Sequence, residues 1–290
     1  MKFRTEISIT DAPKFMAPER RVVLMGSCFA DNIGARMLAA GWPVTANPCG
    51  TVYNPASMAI LFQLALTHRA LRRDIIASGL TTRDGHWASW LTGALSLART
   101  SEECIDKVSE SIDLLEEGLE NADTLILTFG TSDVWLLKGT DRAVGNCHKH
   151  PAAEFDRSRL GIEEIFETWK SVIEAVRHRN PGLKVVLTVS PRRYLSDGFA
   201  ENTRQKAVLI LACEQLCQAV KDVSYFPAYE ILNDDLRDYR FYARDLLHPS
   251  DTAIDYVWEK FIETYLDKEG AERLRLMEKK ARMKAHRPIA

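Results

Sequence analysis

Five short runs along the chain are apolar and rich in β-branched residues: 22–25, 43–46, 124–129, 184–189 and 223–226. Between them, apolar residues recur at three- and four-residue spacing. Ile105, Val108, Ile112, Leu115 and Leu119 form one such stripe; Ile162, Ile165, Phe166, Trp169, Ile173 and Val176 form another. The same spacing predicts helices over 203–220 and 250–266. Strands that alternate with helices, and runs such as TLILTF that are apolar throughout, imply a parallel sheet covered on both faces. Such sheets bind ligands beyond the carboxyl ends of their strands, so each corner after a strand is a candidate site.

Two segments break the alternation. Residues 67–99 contain RDGHWASWLTGALSL, with Asp84-Gly85 as a turn signal and tryptophans on either side of Ala88-Ser89. This reads as an insertion, a hairpin over the sheet edge or the pocket. Residues 267–290 are basic and weakly amphipathic, which suggests a solvated or frayed helix, the other reading being a membrane- or partner-binding segment. No repeat or low-complexity linker divides the remainder, so 1–266 reads as a single domain.

Composition narrows the picture. Of 290 residues, 46% are hydrophobic and 27% charged, enough to fill a core. A net charge of −2 gives no electrostatic reason to expect nucleic acid or a membrane surface as partner. No early segment resembles a secretory signal, and no run reaches the ~18 apolar residues of a membrane span. The six cysteines form no paired framework, which fits a reduced, cytoplasmic setting.

The corner after the first strand reads VVLMGSCFADNIG. Gly26 permits a tight turn, and Ser27 stands where a helix begins. A serine there is either a helix cap or a nucleophile beside backbone N–H donors. The stretch lacks the lysine of a phosphate loop and the second glycine of a dinucleotide fingerprint. Cys28 is the adjacent alternative nucleophile; successive side chains at a corner diverge, and Cys28 reads better as a small hydrophobe packed beneath it. Among seven histidines, His248 stands out. It precedes the last amphipathic helix, and Asp245, three residues earlier, is placed to orient its ring. Asp-x-x-His alone is a weak signal; with a serine at the first corner it is a strong one.

At these residues the chain resembles the GSCFA-domain family, grouped with the SGNH/GDSL hydrolases. The resemblance rests on GSCFA (26–30), NPCGTVYNP (47–55), NCHKHP (146–151), VSPRRY (189–194), ENTRQKA (201–207) and YFPAYEILNDDLRDYRFYARDLLHPS (225–250). It implies a flavodoxin-like three-layer α/β/α sandwich with a parallel five-stranded sheet of order 2-1-3-4-5. It also implies a catalytic set of Ser27, Asp245 and His248, with the amides of Ser27 and Gly50 in the oxyanion hole. The third block of these hydrolases, Gly-x-Asn-Asp, is altered: the chain reads Gly130-Thr131-Ser132-Asp133, with Ser132 in the asparagine position. The missing donor is then supplied by Ser132, by Thr131 or by Asn146 in the following loop.

The resemblance implies a serine esterase or deacylase acting on an O-acyl ester, first of all an O-acetyl ester, of a carbohydrate or small molecule, with no cofactor. An O-acyltransferase with the same triad, or a non-catalytic glycan- or partner-binding module on the same fold, remain open. Asn54, His148, Arg192 and Arg193 are the candidate substrate-binding residues. The alternative for the two arginines, which follow VSP at the end of a strand, is a salt bridge to the acidic NDDLRD loop. The family pattern there is VSPVRH, so Arg192 replaces a valine and Tyr194 a histidine. Cys147, His148 and His150 are possible metal ligands, yet no second ligand pair is visible, and no metal is expected.

Overall fold

The computed structural model describes residues 5–9 and 12–285. Strand β1 (Val22–Gly26) leads through α1 (Cys28–Ala39) to β2 (Val44–Ala46). Helices α2 (Pro55–Leu66) and α3 (Arg69–Ala77) follow, then a hairpin of β3 (Leu80–Arg83) and β4 (His86–Ser89), then α4 (Ser101–Asn121). The chain re-enters the sheet as β5 (Thr124–Phe129). It next forms β6 (Asp133–Leu137), β7 (Ala143–Val144) and β8 (Phe155–Arg159). The remainder is α5 (Ile162–Arg179), β9 (Lys184–Val189), α6 (Phe199–Ala219), β10 (Val223–Phe226), the one-turn α7 (Ala228–Glu230), α8 (Asp251–Tyr265) and α9 (Lys268–Ala285).

The central sheet has the order β2-β1-β5-β9-β10, and every pairing in it is parallel. This is the expected 2-1-3-4-5 arrangement, with helices on both faces. Successive residues of one strand serve opposite cores. Val23 and Met25 pack with Leu125, Leu127, Val185 and Leu187 under α2, α4, α5 and α6. Val22 and Leu24 pack with Ile126, Val186 and Phe226 under α1 and α8. That double burial is why these strands carry unbroken apolar runs. Among the described residues, no helix is long and apolar enough to cross a membrane.

Three features differ from the sequence reading. The antiparallel sheet β7-β6-β8 was not expected. Its strand β8, FDRSR, is exposed after Phe155 and shows no apolar alternation. Helix α6 begins at Phe199, ahead of the predicted 203. The basic C-terminal segment is helical as expected but is not solvated throughout: Leu274 of α9 is buried in the α1/α8 core and Arg273 pairs with Glu19 and Glu269, whereas Leu276 and Met283 stay exposed. Residues 286–290, with His286, lie outside the described residues. The 67–99 insertion does hold the expected hairpin, and α3 ties it down through buried Arg72, bonded to Glu116 of α4.

The direction of the chain across the sheet reverses between β1 and β5, and the carboxyl ends of two strands so placed are where such sheets form their ligand crevice. Gly26 closes β1 there at φ +145°, and a Cβ on it would stand 2.2 Å from the Thr128 carbonyl oxygen. Gly26→Ala is therefore expected to cost about 3 kcal/mol or more of stability, read as a lower urea midpoint with an unchanged slope.

Candidate active site

Ser27 is the N-cap of α1, and its Oγ accepts from the Phe29 N–H at 3.3 Å. The residue is 0% exposed. The corner is held by a residue that sequence reasoning missed. Asn47, at φ +42°, accepts the Gly26 N–H through Oδ1 at 2.7 Å and donates through Nδ2 to Asp31 at 2.6 Å. A polar residue just after an edge strand, in Asn-Pro-Cys-Gly, was the available signal. Burial raises the Cys28 thiol above its ordinary pKa, which keeps it protonated and argues against a thiolate at this corner.

Asp245 and His248 lie in a tight loop before α8. Ala243 donates to the His248 carbonyl, Ser250 donates to the Phe241 carbonyl, and Leu246 turns at φ +58°. Asp245 Oδ1 accepts from the backbone N–H of Leu247 and His248 at 2.9 and 3.0 Å, and Oδ2 meets His248 Nδ1 at 2.5 Å. The backbone N–H of His248, then its ring, hold the Asp245 carboxyl well below the usual carboxylate range. The carboxylate is thus a fixed negative acceptor that leaves Nε2 as the basic nitrogen. That nitrogen is occupied: Arg192 Nε donates to it at 2.7 Å. The Arg192 charge also acts on the Cys28 thiol, against the effect of burial.

The four expected oxyanion donors differ in availability. The Ser27 N–H is bonded to the Thr128 carbonyl at 3.2 Å, and the Gly50 N–H to the Asn47 carbonyl at 2.8 Å. Neither amide is free in this arrangement, contrary to expectation: the Ser27 N–H continues the β1–β5 ladder, and the Gly50 N–H closes the turn that begins at Asn47. Ser132 is fully buried and its hydroxyl has no partner. Asn146 is exposed; its Oδ1 accepts from the His148 N–H, and its Nδ2 lies 3.6 Å from where a Cβ on Gly93 would stand. The segment from Gly93 also brings Leu95 beside Gly50, so Asn146 and Gly50 flank one stretch of chain. Thr131 is committed to Gln205.

Three substrate-binding expectations are corrected. Asn54 is the buried cap of α2, accepting from the Ser57 N–H. His148 turns its Nε2 to the Ser89 carbonyl and packs on Trp90. Arg193 forms no salt bridge to the acidic loop. Its guanidinium lies 3.9 Å from the centre of the Tyr242 ring, with Tyr239 and Phe199 at 5.3 and 5.7 Å. Its N–H bonds to the Leu247 carbonyl, so this cage clamps the β9 corner to the His248 loop. Arg192 alone of the four reaches the proposed triad. His150 bonds Thr81 and Glu154, and among the described residues no three metal-ligating side chains converge.

The first turns of α6 complete the frame. Asn202 accepts the Tyr194 N–H at 2.9 Å, and Gln205 donates to Asp133, which also holds Arg157 and Arg159. Lys206, 0% exposed, donates to the carbonyls of Gly130 and Ser190 at 2.6 and 2.8 Å.

Residues 21–261 match the GSCFA family, and the chain belongs to that family. No curated protein matches its sequence. Among solved structures it is similar to a Clostridium thermocellum family 3 carbohydrate esterase, at 12% identity and a TM-score of 0.39, over 90% of this chain and 99% of that one. It is also similar to a family 3 carbohydrate esterase from Talaromyces cellulolyticus, at 10% identity and a TM-score of 0.33 with the same coverages. A mutant acetyl esterase with an acetate ion is similar at 11% identity and a TM-score of 0.33, again over 90% and 99%.

Burial, and next the Arg192 charge, push the Lys206 ammonium down to about 7, against the two carbonyls that favour its charged form. The unfolded chain then holds the proton more tightly between about 7 and 10.5, so Lys206 adds stability as the pH rises through that window. Urea unfolding across the window should show a shallower rise in Lys206→Met than in wild type.

Proposed function

We propose that the protein is a serine esterase or deacylase of the SGNH type. Its substrate is an O-acyl ester, an O-acetyl ester in the first instance, of a carbohydrate or small molecule. One observation carries the reading: the Asp245–His248 pair, whose carboxylate on Nδ1 leaves Nε2 as the basic nitrogen, met in this arrangement by Arg192 Nε at 2.7 Å. In the proposed cycle His248 Nε2 takes the Ser27 Oγ proton as Oγ attacks the ester carbonyl. Asp245 keeps Nδ1–H in place and stabilises the imidazolium. The tetrahedral oxyanion is met by Asn146 Nδ2 or the Ser132 hydroxyl, with the corner amides of Ser27 and Gly50 drawn in from their backbone acceptors. The ester C–O bond breaks, and His248 returns the proton to the departing alcohol. Water, deprotonated by His248, then attacks the acyl carbonyl; the bond to Oγ breaks, the acid leaves, and His248 returns the proton to Ser27.

Full burial of Ser27 favours a second reading, a non-catalytic binding module. Intact-mass measurement after exposure to a small fluorophosphonate separates the two. The esterase reading expects one adduct on wild type and Cys28→Ala, and none on Ser27→Ala. The binding module expects no adduct on any folded form. On an ester that wild type cleaves, Ser27→Ala and His248→Ala should abolish turnover, and Asp245→Asn should lower kcat by roughly 10²–10⁴-fold. Full activity in Ser27→Ala would sink the assignment.

A further inference from the structure

Arg192 is a cation whose surroundings supply no anion of its own. Its Nε donates to His248 Nε2, and its guanidinium lies 4.6 Å over the Tyr194 ring. Among the described residues no carboxylate pairs with it. Its charge also acts on the Cys28 thiol, the Tyr194 phenol and the buried Lys206 ammonium, and Asp245 stands on the far side of the imidazole, already committed to Nδ1. Other arginines of this molecule find carboxylates readily: Arg72 holds Glu116, and Arg157 and Arg159 hold Asp133.

The atom that takes the place of a carboxylate is the one the proposed cycle needs as its base. A lone pair that accepts from arginine cannot accept the Ser27 proton. Arginine remains protonated at any working pH, so pH cannot release this bond from the Arg192 side. A competing acceptor can. The guanidinium presents five N–H donors in a planar fork that matches two carboxylate oxygens, whereas the imidazole engages one of them. Arg192 is half-buried.

We propose that Arg192 is the specificity-determining residue of the site, selecting esters that carry a carboxylate near the scissile bond. The substrate carboxylate takes the Nε–Nη edge of the guanidinium, the hydrogen bond from Arg192 Nε to His248 breaks, and Nε2 becomes free for the Ser27 proton. A neutral ester offers nothing in exchange and meets a base that is still occupied. No covalent bond changes in this step; one hydrogen-bond acceptor replaces another. The inference rests on the esterase reading and narrows its substrate class to acidic acyl esters.

Two matched pairs test it. In mono-4-nitrophenyl succinate and its methyl ester, the charge sits on the acyl side. In 2-acetoxybenzoate and its methyl ester, it sits on the alcohol side. Wild type should prefer the charged member of at least one pair by about tenfold or more in kcat/KM. Arg192→Gln should lose that preference mainly through KM, and should cleave 4-nitrophenyl acetate faster than wild type because its base is unmasked. Arg192→Lys, a point charge without the fork, should retain only part of the preference. No preference in wild type for either charged member overturns the proposal without reference to any variant. A preference that survives in folded Arg192→Gln overturns it as well. In both cases continued cleavage of 4-nitrophenyl acetate leaves the esterase reading standing. Failure of wild type to cleave any of these esters, with no fluorophosphonate adduct on Ser27, removes that reading and this inference together.

Discussion

The buried ammonium of Lys206 bonds at once to the Gly130 carbonyl after β5 and the Ser190 carbonyl after β9. Two corners of a parallel sheet end in carbonyls that the ladder no longer satisfies, and one side chain supplies both donors. The neighbouring positions extend the same function: Asn202 takes the Tyr194 N–H, and Gln205 reaches Thr131 and Asp133. The start of α6 is thus the template on which the second and third corners of the crevice are cast. Tyr194, which packs on Tyr53 and under Arg192, fills the space left by Gly130; a Cβ there would come 2.5 Å from its hydroxyl.

Much of this was legible in the amino-acid order. The central strands are apolar on both faces because two helix layers cover them, and their runs matched the observed strands to within a residue. The Asp245–His248 pair was legible because it is local, three residues within one loop. What escaped was long-range or read under the wrong rule. The contact of Arg192 with His248 spans 56 positions, and no local pattern announces it. Asn54 before Pro55 carries the signature of a helix cap, and that local role, not a ligand, accounts for its side chain. The α6 template also left a trace: Asn202, Gln205, Lys206 and Leu209 fall on one stripe, so polar residues stand where the helix turns inward.

The site is electrostatically lopsided. A strongly acidic Asp245 lies on one side of the imidazole and the Arg192 guanidinium on the other, and the Lys206 ammonium, pushed down to about 7, lies over the same Tyr194 ring as Arg192. Charge is therefore strung along a line through His248, and the ring is gripped at both nitrogens. Such a ring is well oriented and poorly reactive, which fits a serine with no solvent exposure. Orientation and access are separate requirements, and this arrangement meets the first while withholding the second.

The clamp around Arg193 has a different character. Its partners are the rings of Tyr242, Tyr239 and Phe199, and burial raises the Tyr242 phenol above its ordinary pKa. Neither the guanidinium nor these rings change charge across the range in which imidazole and carboxylate titrate. A loop fastened by ion pairs would loosen as the medium acidified and carry its histidine with it. Here the cage that joins the β9 corner to the His248 loop is deaf to acidity, and the acid-sensitive part of the fastening is the Asp245 carboxylate inside the loop.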